Sequence, residues 1–247
     1  YVFSYVFYYK SMFNTLFKRE QFKHNIEVAS IGCGNMIDYW GLVEALSEIG
    51  NGDCHIKYRG IDTIDWKYKI EAREKDEVKF IQTNAATMFQ KTNALISNVY
   101  IFPKSISEFS NEEFKNICEG FRQKDIQRDR IYILISLRSD QGSMERDMER
   151  SEKIISAMKE NGFITGDHAM EFFHYEPEDE GIRKIDYKFE YPNEAIELLN
   201  SLNTECSTYI SNGGNCASDC ENLNRWPILR AKNIRYQVLT FDRKDPL

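Results

Sequence analysis

The segment from Ile26 to Leu42 constrains the fold of this chain more than any other stretch of its sequence. It contains a short apolar run, then Gly32 and Gly34 separated by one residue, and then a helical pattern. Glycine adopts backbone angles that other residues avoid, so the chain can turn tightly here and a ligand can approach the backbone. The amides at the start of the following helix then face that ligand. The segment therefore predicts a nucleotide-binding strand, turn and helix.

A second short run, Lys57 to Asp62, ends in a carboxylate about thirty residues after the first glycine. A carboxylate at this place suits the two hydroxyls of a ribose. A dinucleotide fingerprint would also have Gly or Ala three residues after Gly34, where this chain has Ile37. An NAD-dependent oxidoreductase is therefore our third interpretation and not our first.

The motif Ser30-Ile-Gly-Cys-Gly34, followed by Gly60-Ile-Asp62, resembles motif I and the acidic end of the second strand in class I S-adenosylmethionine-dependent methyltransferases. The likeness covers roughly residues 26–137, with a plausible continuation to the C-terminus. Two positions depart from the family pattern: Ser30 replaces a frequent Asp or Glu, and Met36 replaces a frequent third Gly. The resemblance implies a Rossmann-like, seven-stranded, mostly parallel sheet with helices on both faces and an antiparallel last strand. It also implies S-adenosylmethionine as the cofactor.

The hydrophobic pattern agrees with an α/β fold, because candidate strands and helices alternate. Strands are predicted at 26–31, 56–61, 78–82, 94–101 and 130–137, and helices at 37–49, 65–75, 110–123 and 143–160. Beyond Gly162 we predict strands at 169–175, 185–191 and 234–241, a helix at 193–202 and a loop at 203–226. The resemblance places the last strand antiparallel between the fifth and the sixth. We expect one domain over 1–247, with 162–233 as the substrate-side region containing a Cys-rich loop.

The N-terminal segment 1–24 is rich in aromatic residues and predicts a buried helix that packs on the sheet. Two interpretations of its tyrosines stay open. They are either core residues, as buried aromatic side chains often are, or Tyr5, Tyr8 and Tyr9 close over the cofactor pocket, as the family resemblance implies.

The resemblance also assigns roles to residues at the ends of four strands, where ligands of such sheets bind. Gly32, Cys33 and Gly34 would contact the methionine moiety and the sugar, and Asp62 the ribose. Asn84 would bind the adenine amino group and the amide of Ala85 the ring, while Ser97, Asn98 and Tyr100 would lie near the transferable methyl group. Purely structural roles also stay open: Asp62 as a turn carboxylate and Asn84 as a helix N-cap. Ile64, Trp66 and Met88 are either neighbours of the adenine ring or core residues.

No catalytic residue follows from the sequence. Methyl transfer requires alignment of a nucleophile, and a base only when that nucleophile is protonated. His168, His174 and Tyr100 are the candidate bases. The lack of an assignable base, together with Ser30 and Met36, supports a second interpretation, a non-catalytic binding or interaction module that has kept the fold.

The formal net charge of −7 argues against binding to a nucleic-acid backbone, so we expect a small-molecule or protein acceptor. No apolar stretch is long enough to span a membrane. The chain begins at Tyr1 and not Met, so we expect its natural N-terminus to lie upstream, and a removed targeting segment stays open.

Six scattered cysteines predict reduced thiols in a cytoplasmic protein. Cys206, Cys216 and Cys220 cluster in the Cys-rich loop, but their spacing matches no common zinc module. We therefore expect no bound metal, with a zinc-stapled insertion or a disulfide as the alternatives.

Overall fold

The protein is described from a computed structural model, which covers residues 2–67, 71–138, 140–174, 182–184, 206–214 and 234–244. Its helices are α1 (Val2–Arg19), α2 (Ile37–Glu48), α3 (Ala85–Lys91), α4 (Asn111–Gln123), α5 (Gln141–Glu160) and α6 (Ser207–Ser211). Its strands are β1 (Asn25–Ile31), β2 (His55–Asp62), β3 (Glu77–Gln82), β4 (Ala94–Leu95), β5 (Val99–Phe102), β6 (Asp125–Ile126), β7 (Arg130–Ser136), β8 (Phe163–Ile164), β9 (Phe172–His174), β10 (Ile182–Lys184) and β11 (Arg235–Arg243).

The main sheet has the order β10-β9-β11-β7-β5-β1-β2-β3, and β8 also pairs with β11. Strands β3, β2, β1, β5 and β7 are parallel to one another. Strand β11 is antiparallel to both of its neighbours, β7 and β9. The predicted seven-stranded arrangement, with the last strand inserted antiparallel between the fifth and the sixth, is therefore confirmed. Strands β8 and β10 are additions that the sequence did not predict.

Helices cover both faces of the sheet. On one face, α1 and α2 pack together over a core that includes Tyr8, Met12 and Leu42. On the other face, α3, α4 and α5 enclose a second core around Phe89 and Phe121. Strand β7 is buried from Ile131 to its end, as expected for a parallel strand covered on both sides. All of the parallel strands therefore deliver their carboxyl ends to one edge of the sheet.

The charged segment 65–75 does not form the predicted helix in its described residues, 65–67 and 71–75. The Arg73 guanidinium instead pairs with Asp76 (2.7 Å) and donates to the carbonyl oxygens of Gly52 (2.9 Å) and Cys54 (3.0 Å). The Asp76 carboxylate in turn accepts from the Ile56 amide at 2.9 Å. Side chains that bind neighbouring main-chain groups compete with helix formation, and here they hold the segment against the start of β2.

Two further predictions concern the chain beyond β8. The sixth strand is shorter than predicted, and the first described part of the Cys-rich loop contains the short helix α6. The whole of the predicted strand 185–191 and of the predicted helix 193–202 lies outside the described residues, as do Cys216 and Cys220.

Candidate functional site

The glycine turn after β1 has a left-handed backbone at three positions: φ is +70° at Gly32, +55° at Gly34 and +64° at Met36. The amides of Gly32 and Cys33 donate to the Ile61 carbonyl oxygen, at 2.8 and 3.1 Å, which fixes the turn to the end of β2. A left-handed conformation costs a residue with a side chain roughly 1–2 kcal/mol. The turn therefore needs its two glycines, and Met36 adopts at some cost the backbone that a third glycine would take freely.

The two glycines differ in their surroundings. A Cβ atom on Gly32 would lie 2.5 Å from the Ser105 Cβ atom, so the turn packs tightly against the chain that follows β5. A Cβ atom on Gly34 would meet no atom within 4 Å. Open space therefore lies directly above the Gly34 backbone, where a ligand can approach it.

Asp62 ends β2 beside this turn. Its Oδ2 atom accepts a hydrogen bond from the Gly34 amide (2.9 Å), and its Oδ1 atom accepts one from the Ile64 amide (2.9 Å). A carboxylate offers about four acceptor sites, so two such bonds leave capacity for a ligand. The carboxylate thus holds the turn in place and keeps acceptors for hydroxyl donors.

Asn84 follows β3 and caps α3. Its Oδ1 atom accepts from the Thr87 amide (3.3 Å), and its Nδ2 atom donates to the Glu113 carboxylate (2.6 Å). Glu113 also accepts from the Ser110 amide (2.8 Å) in the capping box of α4. This backbone hydrogen bond is the main reason that the pKa of Glu113 is lowered. The N-cap reading of Asn84 is confirmed, and the cap places the first amides of α3 at the same edge of the sheet.

These residues surround one cleft of about 440 Å³ at the carboxyl edge of the sheet. The cleft brings together five of the predicted cofactor residues, Gly32, Gly34, Asp62, Asn84 and Ala85. Of the three residues suggested as neighbours of the adenine, Ile64 and Trp66 line the cleft and are exposed, whereas Met88 packs against the core. Residues that the sequence did not single out also line it, including Lys104, Ser105, Glu108, Phe109 and Glu113.

The predicted placement of Ser97, Asn98 and Tyr100 near the methyl group is wrong. Strand β5 begins at Val99, so Ser97 and Asn98 precede it and lie at the amino edge, opposite the cleft. Asn98 accepts from the Glu27 amide (2.8 Å) at the start of β1, and Ser97 accepts from Arg59 (3.2 Å). Tyr100 is buried against Phe121. The physical reason is that the apolar run 94–102 is not one strand, because β4 pairs with β6 in a separate ladder.

Cys33 belongs to the turn through its backbone alone. Its side chain is buried on the α2 side of the sheet, and a Cβ atom on Gly60 would lie 2.8 Å from its Sγ atom. The thiol therefore points away from the cleft, and the predicted contact with the cofactor is limited to the Cys33 main chain.

Neither candidate histidine lines the cleft. His168 is exposed in the segment between β8 and β9. His174 is fully buried at the end of β9, opposite Arg235 of β11, and neither of its ring nitrogens has a hydrogen-bond partner among the described residues. Both lie towards the far end of the sheet from Asp62, so neither is placed beside the glycine turn.

Beneath the turn, the first turn of α2 buries the carboxylate of Asp38. The Tyr58 hydroxyl donates to it, with both Asp38 oxygens at 2.9 Å. Burial raises the pKa of Asp38 to about 6, although the hydrogen bonds act in the opposite direction. A carboxyl group with a pKa raised to about 6 is therefore buried in the first turn of α2, close after the glycine turn.

Lys104 lies where β5 reaches the cleft, and it has a left-handed backbone with φ of +58°. Its Nζ atom lies 5.0 Å from the ring centre of Tyr5 and 5.1 Å from that of Tyr8, both in α1. Burial lowers the pKa of Lys104. Tyr8 and Tyr9 are core residues, whereas Tyr5 is half-buried and reaches the cleft through its contact with Lys104. The core reading thus holds for Tyr8 and Tyr9, and the closing of Tyr5 over a cofactor stays a prediction.

A larger cavity of about 810 Å³ lies between α4 and α5. Several of its charged side chains have partners: Arg122 pairs with Glu119 and with Glu160, and Arg150 donates to the carbonyl oxygens of Ile106 and Phe109. This cavity is away from the strand ends, so we assign the functional site to the cleft at the carboxyl edge.

The described residues contain no group of three or more His, Cys, Asp or Glu side chains arranged to hold a metal ion. Cys206 is described, but the other two cysteines of the predicted cluster are not. Within the same described ranges, no helix has both the length and the apolar character needed to cross a membrane.

Solved structures with a similar fold include a SAM-dependent methyltransferase from Archaeoglobus fulgidus, with a TM-score of 0.44, 15% identity and coverage of 95% of this chain and 94% of that chain. The plantazolicin methyltransferase BpumL, in complex with SAH, has a TM-score of 0.47, 12% identity and coverage of 98% and 85%. MnmC2 from Aquifex aeolicus has a TM-score of 0.43, 11% identity and coverage of 62% and 51%, so the chain spans about half its length. No protein-family model and no curated protein matches the sequence. The three TM-scores lie below 0.5, so the fold assignment rests on the strand order described above.

Proposed function

We propose that this protein is an S-adenosylmethionine-dependent methyltransferase whose cofactor binds in the cleft at the carboxyl edge of the sheet. One observation carries the proposal: the Gly32–Gly34 turn, the Asp62 carboxylate and the Asn84 cap, all predicted from sequence, line the same cleft. The strand order, with its antiparallel last strand, agrees with this reading.

The cleft residues fit the proposed cofactor. The space above Gly34 leaves its backbone accessible, and Asp62 keeps acceptor capacity for two ribose hydroxyls. The exposed side chains of Ile64 and Trp66 provide apolar surface for the adenine ring. The α3 N-terminus at Ala85 presents amides at the other end of the cleft.

When bound, the cofactor supplies an electrophilic methyl group. The protein then has to align an acceptor atom with that group and exclude water, since methyl transfer depends chiefly on orientation. A small-molecule or protein acceptor is favoured over a nucleic acid, because the net charge is acidic. A cytoplasmic location stays a prediction from the scattered cysteines.

A non-catalytic cofactor-binding module is the second candidate. It is supported by the lining of the cleft, whose described residues include no histidine, and by Met36 in a strained backbone where a methyltransferase often has glycine. NAD-dependent oxidation is the third candidate, and Ile37 at the start of α2 argues against it.

Calorimetric titration of the purified chain with S-adenosylmethionine, S-adenosylhomocysteine and NAD separates these candidates. The proposal predicts that the first two ligands bind with micromolar dissociation constants and that NAD does not bind. Binding of NAD alone would contradict it. Binding of S-adenosylmethionine without methyl transfer to any acceptor in a broad panel would favour the module.

A further inference from the structure

Lys104 is the charged residue of the cleft whose surroundings the proposed cofactor site does not explain. The three carboxylates that line the cleft all have donors: Asp62 accepts from two main-chain amides, Glu113 from the Ser110 amide, and Glu108 pairs with Arg138. Lys104 has no ion pair with any described carboxylate, and its ammonium lies over the Tyr5 and Tyr8 rings of α1.

The fold holds this ammonium in place at some cost. Burial works against the charged form of Lys104, and a left-handed backbone at a non-glycine residue adds strain. The Lys104 amide donates to the Phe102 carbonyl oxygen (2.9 Å) and to the Ser136 hydroxyl, so the backbone geometry is fixed by both β5 and β7. Strained, desolvated residues with fixed geometry are concentrated at functional sites.

The two rings that contact the Lys104 ammonium, those of Tyr5 and Tyr8, are also held in place. Tyr8 is fully buried, and its hydroxyl donates to the Leu137 carbonyl oxygen (3.3 Å) and to that of Arg235. Helix α1 is thereby tied to the residue after β7 and to the start of β11. Tyr5 is half-buried and stacks on Tyr9, so its ring supports the outer side of the ammonium. The contact holds Lys104 at the cleft, next to Ser105, which packs against Gly32 of the glycine turn.

The other charges near Lys104 offset its charge only in part. Arg138 adds positive charge and is itself paired with the exposed Glu108. The buried carboxylate of Asp147 favours the charged form of Lys104, but its Oδ2 atom accepts from the Arg138 amide (3.0 Å), and no ion pair within 4 Å joins it to Lys104. A desolvated cation without a paired carboxylate is unfavourable unless a ligand supplies the anion.

We propose that Lys104 selects an anionic acceptor, a small molecule that presents a carboxylate or phenolate oxygen to the methyl group. This inference rests on the proposed function. The Lys104 ammonium and the sulfonium of the cofactor are both positive and repel each other. Lys104 therefore favours the complex of protein, cofactor and acceptor only when the acceptor places an anion between the two charges.

Methyl transfer to such an anionic oxygen needs no base. The acceptor oxygen supplies the electron pair of the new C–O bond, and the C–S bond breaks with its pair left on sulfur. A negative oxygen and a positive sulfur thus give a neutral ester or ether and a neutral thioether, and no proton is transferred. This agrees with a cleft in which no histidine is found among the described lining residues.

The first test compares how S-adenosylmethionine, a cation at sulfur, and neutral S-adenosylhomocysteine bind to Lys104→Met. Removing the ammonium should strengthen the binding of S-adenosylmethionine relative to that of S-adenosylhomocysteine roughly tenfold, since the repulsion acts on the sulfonium alone. Lys104→Arg should keep the wild-type ratio. Lys79→Met, at an exposed lysine of β3, is the matched control and should also keep it. If Lys104→Met weakens both ligands equally, Lys104 binds the carboxylate that the two ligands share, and the proposal fails while the proposed function stands.

The second test uses benzoate and its neutral isostere benzamide in saturation-transfer NMR, with and without S-adenosylhomocysteine. Wild type and Lys104→Arg should give a signal with benzoate and not with benzamide, and Lys104→Met should lose the benzoate signal. Equal signals from the two probes, or a benzoate signal that survives in Lys104→Met, would overturn the proposal. If the wild type binds neither S-adenosyl ligand, the proposed function fails, and the benzoate series without cofactor still decides whether Lys104 recognises an anion. Circular dichroism of each variant checks that the fold is intact.

Discussion

The main-chain amide of Gly34 donates a 2.9 Å hydrogen bond to Oδ2 of Asp62, which joins the glycine turn after β1 to the carboxylate at the end of β2. These two residues lie in separate motifs of the sequence, and the parallel pairing of β1 with β2 brings them together. The carboxylate therefore has two roles in the proposed site: it orders the turn, and it accepts hydrogen bonds from the ribose.

Asp62→Ala should lower the affinity for S-adenosylmethionine at least tenfold. Hydrogen bonds to a charged group contribute roughly 1.5–3 kcal/mol, and the substitution removes those to the ribose and to the Gly34 amide together. Calorimetry gives the dissociation constant, and circular dichroism checks the fold. Glu74→Ala, at an exposed carboxylate of the following segment, should bind like the wild type. An unchanged dissociation constant for Asp62→Ala would remove Asp62 from the site.

Substitutions at Gly34 should separate stability from binding. The φ of +55° disfavours any side chain, but the space above the residue is open, so the fold should tolerate Gly34→Asn better than Gly34→Val. Both side chains occupy the room that the cofactor needs, so both variants should bind S-adenosylhomocysteine poorly. Thermal melts and calorimetry measure the two effects separately. Wild-type affinity in either variant would contradict the assignment of the turn.

Asn84 lines the cleft, whereas Asn98 lies at the opposite edge of the sheet, so alanine substitutions at these two asparagines can be compared directly. Asn98→Ala should destabilise the protein by roughly 1–3 kcal/mol, because the Glu27 amide loses its acceptor. It should leave the dissociation constant of S-adenosylmethionine within about twofold, since the residue lies at the amino edge. Asn84→Ala should also destabilise the protein, by about 1 kcal/mol through loss of the N-cap, and should weaken binding as well. Weaker binding in Asn98→Ala would contradict the position of Asn98 away from the cleft and would support its placement near the transferable methyl group.

The strand–turn–helix segment and Asp62 could be predicted because their signals are local: two glycines after an apolar run, and a carboxylate at the end of the next run. The sequence could not show that 94–102 contains two strands, because that depends on the pairing of β4 with Asp125–Ile126, far along the chain. Lys104 was missed for a similar reason, since its environment comes from Tyr5 and Tyr8 of α1. A usable signal was present, because Pro103 marks the end of the buried run 99–102 and the residues after a parallel strand line this edge.

Burial of Asp38 predicts that stability depends on pH. Its pKa is near 6 in the folded state and about 3.9 in an unfolded chain, so between these values the folded state binds more protons. Its contribution is therefore fully present below pH 4 and is lost as the pH rises through 6. Asp38→Asn should remove this dependence and stabilise the protein at pH 7.5 by up to roughly 2–3 kcal/mol relative to its effect at pH 4. Urea unfolding at the two pH values tests this, and an equal effect at both would contradict it.

Gly41 of α2 should be essential for the packing of α1 on α2. A Cβ atom there would lie 2.5 Å from the Tyr9 Cβ atom and 2.8 Å from the Lys10 amide nitrogen, and main-chain atoms cannot easily move aside. Gly41→Ala should therefore cost at least about 1–3 kcal/mol of unfolding free energy. Gly142→Ala is the matched control, because a Cβ atom there meets nothing within 4 Å, and it should be neutral or slightly stabilising. Equal stabilities of the two variants would show that the helices do not pack as described.

The central claim, that the cleft at the carboxyl edge holds the cofactor, is tested most directly by a crystal structure of the protein with S-adenosylhomocysteine. The account predicts ligand density in the cleft, with the ribose hydroxyls within hydrogen-bond distance of Asp62, the adenine beside Asn84 and Ala85, and the sulfur on the side of Lys104. Density in the larger cavity between α4 and α5, or a cleft that stays empty at saturating ligand, would contradict it.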